Sequence, residues 1–193
     1  MKHLLFFRTI LMVSIVAMLT ACGGAPVQSP CSVEVFIPLK QYTQVSLVDQ
    51  HGKLLDSTLT IAKDSIRFTR DDITSMPYVA KLLIVNPSDS LDMLYMPFVV
   101  EGGKVEIEIS DVLNLTGTDD NRALFKFIKA KNNFAARYQN PEHDLEKLNR
   151  DYSKFYSDQM LVNSDNAVGK YLYETYGSLL TSEDDKRVKE KLK

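Results

Sequence analysis

The sequence predicts an α+β protein, with an antiparallel β-sandwich or barrel-like part over residues 33–117 followed by a helical segment over 118–193. Two patterns carry that reading. Apolar residues recur at every second position from Val33 to about Gly117, punctuated by short turn clusters. Beyond Gly117 the apolar spacing changes to i, i+3/i+4. The apolar content of 45% and charged content of 25% are those of a globular chain.

Val33, Val35, Ile37 and Leu39 alternate with Glu34, Phe36 and Pro38, a half-buried strand whose proline suits an edge or an end. Val45 and Leu47 continue the pattern up to Asp49-Gln50-His51-Gly52, a hairpin turn. Leu55, Leu59 and Ile61 follow, and Asp64 turns the chain into Ser65–Thr69. Tyr78 to Val85 is nearly all apolar, as in a strand covered on both faces. Asn86-Pro87-Ser88-Asp89 is the next turn. Tyr95–Val100 leads through Glu101-Gly102-Gly103 into Lys104–Ile109, the clearest alternation in the chain.

Thr118 to Asn121 supplies N-cap candidates for a first helix, with Leu124, Phe127, Ile128, Phe134, Ala135 and Tyr138 as its inward stripe. Asn140-Pro141 ends that helix and opens another, Pro141 suiting the first helical position. Leu145, Leu148, Tyr152 and Phe155 mark the buried face of the second helix. Asn163 to Asn166 caps a third, carrying Val168, Tyr171, Leu172 and Thr175, and Thr181 to Asp185 caps a last one.

The N-terminus carries the sharpest motif. Lys2, His3 and Arg8 flank a short apolar run ending in Leu19-Thr20-Ala21-Cys22. Ile10–Leu19 is about half the ~20 residues a spanning helix needs, and a basic start before a short apolar run is a secretory signal. An uncleaved anchor and an ordinary signal cut elsewhere are the alternatives. Leu-x-Ala-Cys resembles the lipobox of bacterial lipoproteins, which implies that residues 1–21 are removed and Cys22 is acylated, anchoring the chain to a membrane. Residues 22–32 then form the lipidated cysteine and a flexible tether, whose Gly23–Pro30 stretch reaches ~25–30 Å.

Composition narrows the chemistry. The 23 Lys and Arg against 25 Asp and Glu, without a basic cluster, argue against nucleic acid. With Cys22 lipidated, Cys31 is the remaining thiol: a small residue at the start of the first strand, or a redox-active or intermolecular one. Alternation sets Lys104, Glu106 and Glu108 on one solvated strand face, with Glu101 beside them in sequence. The pairs Asp71-Asp72, Asp119-Asp120 and Asp184-Asp185 read as helix-start carboxylates, without calcium-loop spacing. His51 and His143 lack zinc spacing, and no Gly-x-Ser-x-Gly elbow is present, so no catalytic, metal or cofactor site is expected. Tyr152, Tyr156, Tyr171, Tyr173 and Tyr176 read as helical packing, with a ligand groove as the alternative. Asp56-Ser57-Thr58, Asp64-Ser65-Ile66 and Asp89-Ser90-Leu91 each resemble the Asp-Ser/Thr-apolar acceptor for O-glycans in exported bacterial proteins, making Ser57, Ser65 and Ser90 candidate modification sites.

A family resemblance runs along the mature chain. It rests on Leu55-Asp56-Ser57, Phe98–Gly103, Leu115–Asn121 and Asn163–Tyr171, in that order behind a lipobox. This series is similar to the domain of unknown function at the N-terminus of thioredoxin-like (TlpA/ResA-like) lipoproteins of Gram-negative bacteria. In the longer relatives a Trp-Cys-x-x-Cys thioredoxin domain follows. The 193 residues hold no Trp and no Cys-x-x-Cys, so disulfide reductase activity is not implied, and Phe36-Ile37-Pro38 stands where the family has a first-strand glycine. The residue after Cys22 is not Asp, which by analogy implies the outer membrane, facing the periplasm. The expectation is a tethered, non-catalytic interaction module docking an envelope protein, thioredoxin-like or exported. A remnant of a longer reductase and a hydrolase with a non-local site, the latter requiring His51 and His143 to meet in a cleft, are the alternatives.

Overall fold

The computed structural model describes residues 29–56, 59–61, 63–71, 77–89, 91–138 and 144–192. Cys22, the tether up to residue 28, Ser57, Ser90, Asp72, Pro141 and His143 lie outside these residues.

The fold is α+β. Eight strands make two four-stranded sheets: β1 (Cys31–Phe36), β4 (Ser65–Arg70), β7 (Gly103–Ile109) and β8 (Leu113–Thr116) form sheet A in the order β4-β1-β7-β8. β2 (Gln44–Asp49), β3 (Leu59–Thr60), β5 (Tyr78–Val85) and β6 (Met93–Val100) form sheet B in the order β3-β2-β5-β6. The two sheets face each other, and Phe68 of β4 meets Phe98 of β6 edge-on at 6.2 Å. Val33, Val35, Val105 and Ile107 from sheet A, and Val45, Leu82, Ile84 and Phe98 from sheet B, share the buried core.

Pairing is antiparallel throughout except between β1 and β7, which run parallel from Cys31↔Gly103 to Phe36↔Glu108. A parallel pair needs a long crossover, and the whole of β2–β6 serves as one. Pairing starts ahead of Val33, inside the stretch read as tether, because the Gly103 N–H donates to the Pro30 carbonyl (3.2 Å). Pro38 falls beyond the end of β1, which is a central strand. The turn at Asp49 forms as the sequence predicts, with Gly52 at φ +86°. Its Asp49 carboxylate accepts from the N–H groups of His51 (2.9 Å) and Lys53 (2.8 Å). Lys63 and Asp64, at φ 52° and 62°, reverse the chain into β4.

Four helices follow: α1 (Asp119–Ala136), α2 (Leu145–Val162), α3 (Ala167–Tyr176) and, after a 3₁₀ turn, α4 (Ser182–Lys189). Helix α1 packs on both β6 and β8, closing one open side of the sandwich, while α3 lies against β5. Asp144, Asn166 and Thr181 cap α2, α3 and α4 with their side chains. The second helix therefore begins at Leu145 behind Asp144.

Three residues of the expected helical stripes face solvent instead. Leu145 is 73% exposed at the first position of α2, and Ala135 and Thr175 are exposed near the last turns of their helices. A stripe at 3.6-residue period continues to the helix end, but the partner surface stops sooner. Asp71 follows β4 and the five residues after it lie outside the described ones, whereas Asp119, Asp120, Asp184 and Asp185 do lie in first turns.

Candidate functional site

Among the described residues strand β6 borders sheet B, and its outer edge is closed at one end only. The Val99 N–H donates to Asn121 Oδ1, and Asn121 Nδ2 donates to the Val99 carbonyl, both at 2.8 Å. Both backbone groups of Val99 therefore point away from β5. Because bonded positions alternate in an antiparallel pair, the backbones of Met93, Tyr95 and Pro97 also point outward, while Leu94, Met96, Phe98 and Val100 serve the β5 ladder. Pro97 occupies an outward position, where its missing N–H removes no ladder bond.

The side chains of the same residues lie on the outer face of sheet B. Register places Tyr95 opposite Leu83, Met93 opposite Val85 and Pro97 opposite Lys81. At the far end Val79 and Val99 are buried, but Tyr95 is 57% and Met93 38% exposed, with Leu83 and Val85 only partly covered. The apolar run of β5 does call for cover on both faces, and over its second half that cover is incomplete. Leu91, just before β6, is 88% exposed. Among the described residues an apolar patch thus adjoins an unpaired strand edge.

Both ends of this edge are firmly held. Asp92 accepts from the Tyr42 hydroxyl (2.6 Å) and from Asn86 Nδ2 (3.0 Å), bonds that hold its carboxyl below the usual range, Tyr42 contributing most. At the other end Asn121 is fully buried, its Nδ2 also donating to Thr118 Oγ1 (2.8 Å). Thr118, the N-cap residue of α1, makes no side-chain cap bond to its own helix. Glu101, in the β6–β7 link, lies near the start of this helix, where the Thr118 hydroxyl and the Asn121 and Asp120 N–H groups favour its charged form. Burial nevertheless pushes the Glu101 carboxyl up, with the nearby Asp120 charge adding to it, and among the described residues Glu101 Oε1 is buried without a partner. Alternation along β7 could not have found this placement, because Glu101 precedes the strand.

The other sequence candidates are dispersed. Glu34 pairs with Arg67 and with Lys104 (3.3 Å), and Lys104 also pairs with Glu106, a cross-strand charge network on the outer face of sheet A. Cys31 is fully buried at the start of β1; burial raises its thiol pKa, opposed less strongly by the Glu101 backbone and the Arg70 charge. His51 is exposed at the hairpin tip, with Nε2 3.2 Å from Gln50 Nε2. It lines a 190 Å³ cleft with Tyr78, Lys170, Tyr171 and Glu174. Ser65 opens β4, half-buried opposite Phe36.

The tyrosines pack the helical bundle. Tyr156 stacks on Tyr176 and Phe134 on Phe155, each at 4.4 Å, and burial pushes the Tyr156 and Tyr171 phenols up to about 12. Among the described residues no group of three or more His, Cys, Asp or Glu is placed to hold a metal ion, and no helix is long and apolar enough to cross a membrane. No family model and no curated protein matches the chain.

Proposed function

We propose that the protein is a lipid-anchored, non-catalytic docking module of the cell envelope, held by Cys22 on the periplasmic side of the outer membrane and engaging an exported or thioredoxin-like protein. The observation that carries this reading is the half-open β6 edge with the exposed side chains of Met93 and Tyr95 beside it. Soluble folds cover or charge such edges, and one left bare beside apolar side chains suits strand addition by a partner. The lipobox and the order of the motifs behind it support the anchor and the envelope setting.

The placement of the chain entry suits the role. The Ser29 backbone lies against Gly102, where an added Cβ would come within 2.7 Å of the Ser29 carbonyl oxygen. Ser29 therefore lies near the C-terminal end of β6, and the open stretch lies up to about 20 Å further along the strand.

Crosslinking the native lipoprotein in intact cells, followed by mass spectrometry, tests the reading, with Cys22→Ala as the mislocalised control. Capture of one envelope protein only when Cys22 is present is the expected result. Background capture alone, or the same capture without Cys22, would overturn it.

A further inference from the structure

The geometry points to a specific occupant for the β6 edge: an extended polypeptide segment with apolar residues at alternate positions and basic residues at its ends. It adds to sheet B as a fifth strand. This inference rests on the docking reading and specifies how docking is done.

The backbone sets the length. Met93 and Tyr95 each offer an outward N–H and C=O, Pro97 offers a C=O alone, and Asn121 already occupies Val99. A partner strand therefore finds two donors and three acceptors, then meets α1 as a stop. Among these positions Pro97 is where the incoming strand gains no bond to its own carbonyl, so the segment runs out there. The match is short and the register fixed, since a shift of two residues would push the segment against Asn121 or off the strand.

The side chains set the chemistry. Met93, Tyr95 and Pro97 project on the outer face, continuous with Leu83 and Val85, so every second residue of the incoming strand lies against an apolar surface. Charge brackets this surface. Asp89 and Asp92 stand at the start of β6, and Asp119 and Asp120 stand in the first turn of α1 at its end. Among the described residues the Arg122–Asp119 pair is the only ion pair these four carboxylates make, while Asp92 accepts from Tyr42 and Asn86, Asp89 from the Leu91 N–H and Asp120 from the Ala167 N–H. Basic residues at the two ends of the segment would meet carboxylates at both, and an acidic segment would be repelled. A second copy of this chain fits less well, because the residues flanking its own β6 are acidic.

The probe is the synthetic peptide Lys-Val-Thr-Val-Thr-Val-Lys, titrated into the full lipidated chain in detergent micelles. The expected result is saturable binding that weakens about tenfold when both lysines become glutamates. Amide hydrogen exchange should slow at Met93 and Tyr95 and stay unchanged at Leu94 and Met96, whose N–H groups already serve β5. Tyr95→Pro removes an outward donor at a position like that of Pro97 and should weaken binding about tenfold with β5 pairing intact.

No protection at Met93 and Tyr95, equal binding of the acidic peptide, or self-association through the same amides would each overturn the inference. So would protection that appears on adding anionic vesicles in place of peptide. Crosslinking separates this result from the broader reading. Partner capture in cells that survives Tyr95→Pro would leave the docking function standing and remove the strand-addition mode.

Discussion

Asn121 stands in for a strand at Val99: its side-chain amide gives and receives one hydrogen bond with the Val99 backbone, both at 2.8 Å. A primary amide presents a donor and an acceptor at nearly the spacing of a peptide group, so one buried side chain closes the sheet edge where α1 crosses it. Asn121→Leu leaves the Val99 N–H and C=O buried and unpaired, at a cost of about 2–4 kcal/mol. Urea unfolding of the two proteins measures the difference, and a change within 0.5 kcal/mol, as ~0.5 kcal/mol is the spread of neutral surface substitutions, would mean that Asn121 is not closing the edge.

Glu101 makes the α1 start sensitive to pH. Its carboxyl is raised in the folded state, chiefly by burial, so the native protein binds more protons than the unfolded chain above the ordinary carboxylate range. Stability contributed by this group is therefore greatest below the unfolded pKa of about 4.3 and falls as pH rises through the folded value. Glu101→Gln removes that titration. The stability difference between the two proteins should move in favour of the glutamine form as pH is raised from the ordinary carboxylate range toward neutrality. A difference independent of pH would contradict the buried, raised carboxyl.

Two glycines separate backbone strain from steric exclusion. Gly117, between β8 and α1, has φ +119°, and an added Cβ would lie 2.1 Å from the Lys104 carbonyl oxygen. Gly52 has φ +86° and open space around the same position. Gly52→Ala should cost about 1 kcal/mol from conformation alone. Gly117→Ala adds displacement of β7 backbone and should cost at least twice that, read from thermal or urea unfolding. Equal costs would show that β7 yields freely at Lys104.

Local pattern made much of this fold legible. Alternation located β1 and β7, an apolar run located β5, the cap clusters located the starts of α3 and α4, and the turn at Asp49–Gly52 followed from its own residues. Which strands share a sheet was not legible, because β1 finds β4 and β7 only after the chain has crossed the sandwich repeatedly. The helix α2 begins at Leu145 because the Asp144 side chain caps it, accepting from the Glu146 N–H, a role that the turn signal at Asn140-Pro141 did not point to. The open edge was hidden for a different reason. The apolar β5 and β6 runs suggest buried strands, and their periodicity does not say that helical cover ends near Lys81. Asn121 gave no signal beyond being one of several cap candidates.

Cys31 tests whether redox chemistry belongs to this chain or to a partner. Its side chain is fully buried between Arg70 and Gly103 in the pairing of sheet A, and burial holds the thiol above its ordinary pKa. Reactivity follows thiolate fraction and access, and both are low here. In the native protein at neutral pH, iodoacetamide should label Cys31 only as fast as the protein unfolds, and urea above the unfolding midpoint should raise the rate by orders of magnitude. Stabilising the fold should slow labelling further. Rapid labelling of the folded protein, at a rate insensitive to stability, would instead place an accessible thiolate at the start of β1 and assign the chain a redox role of its own.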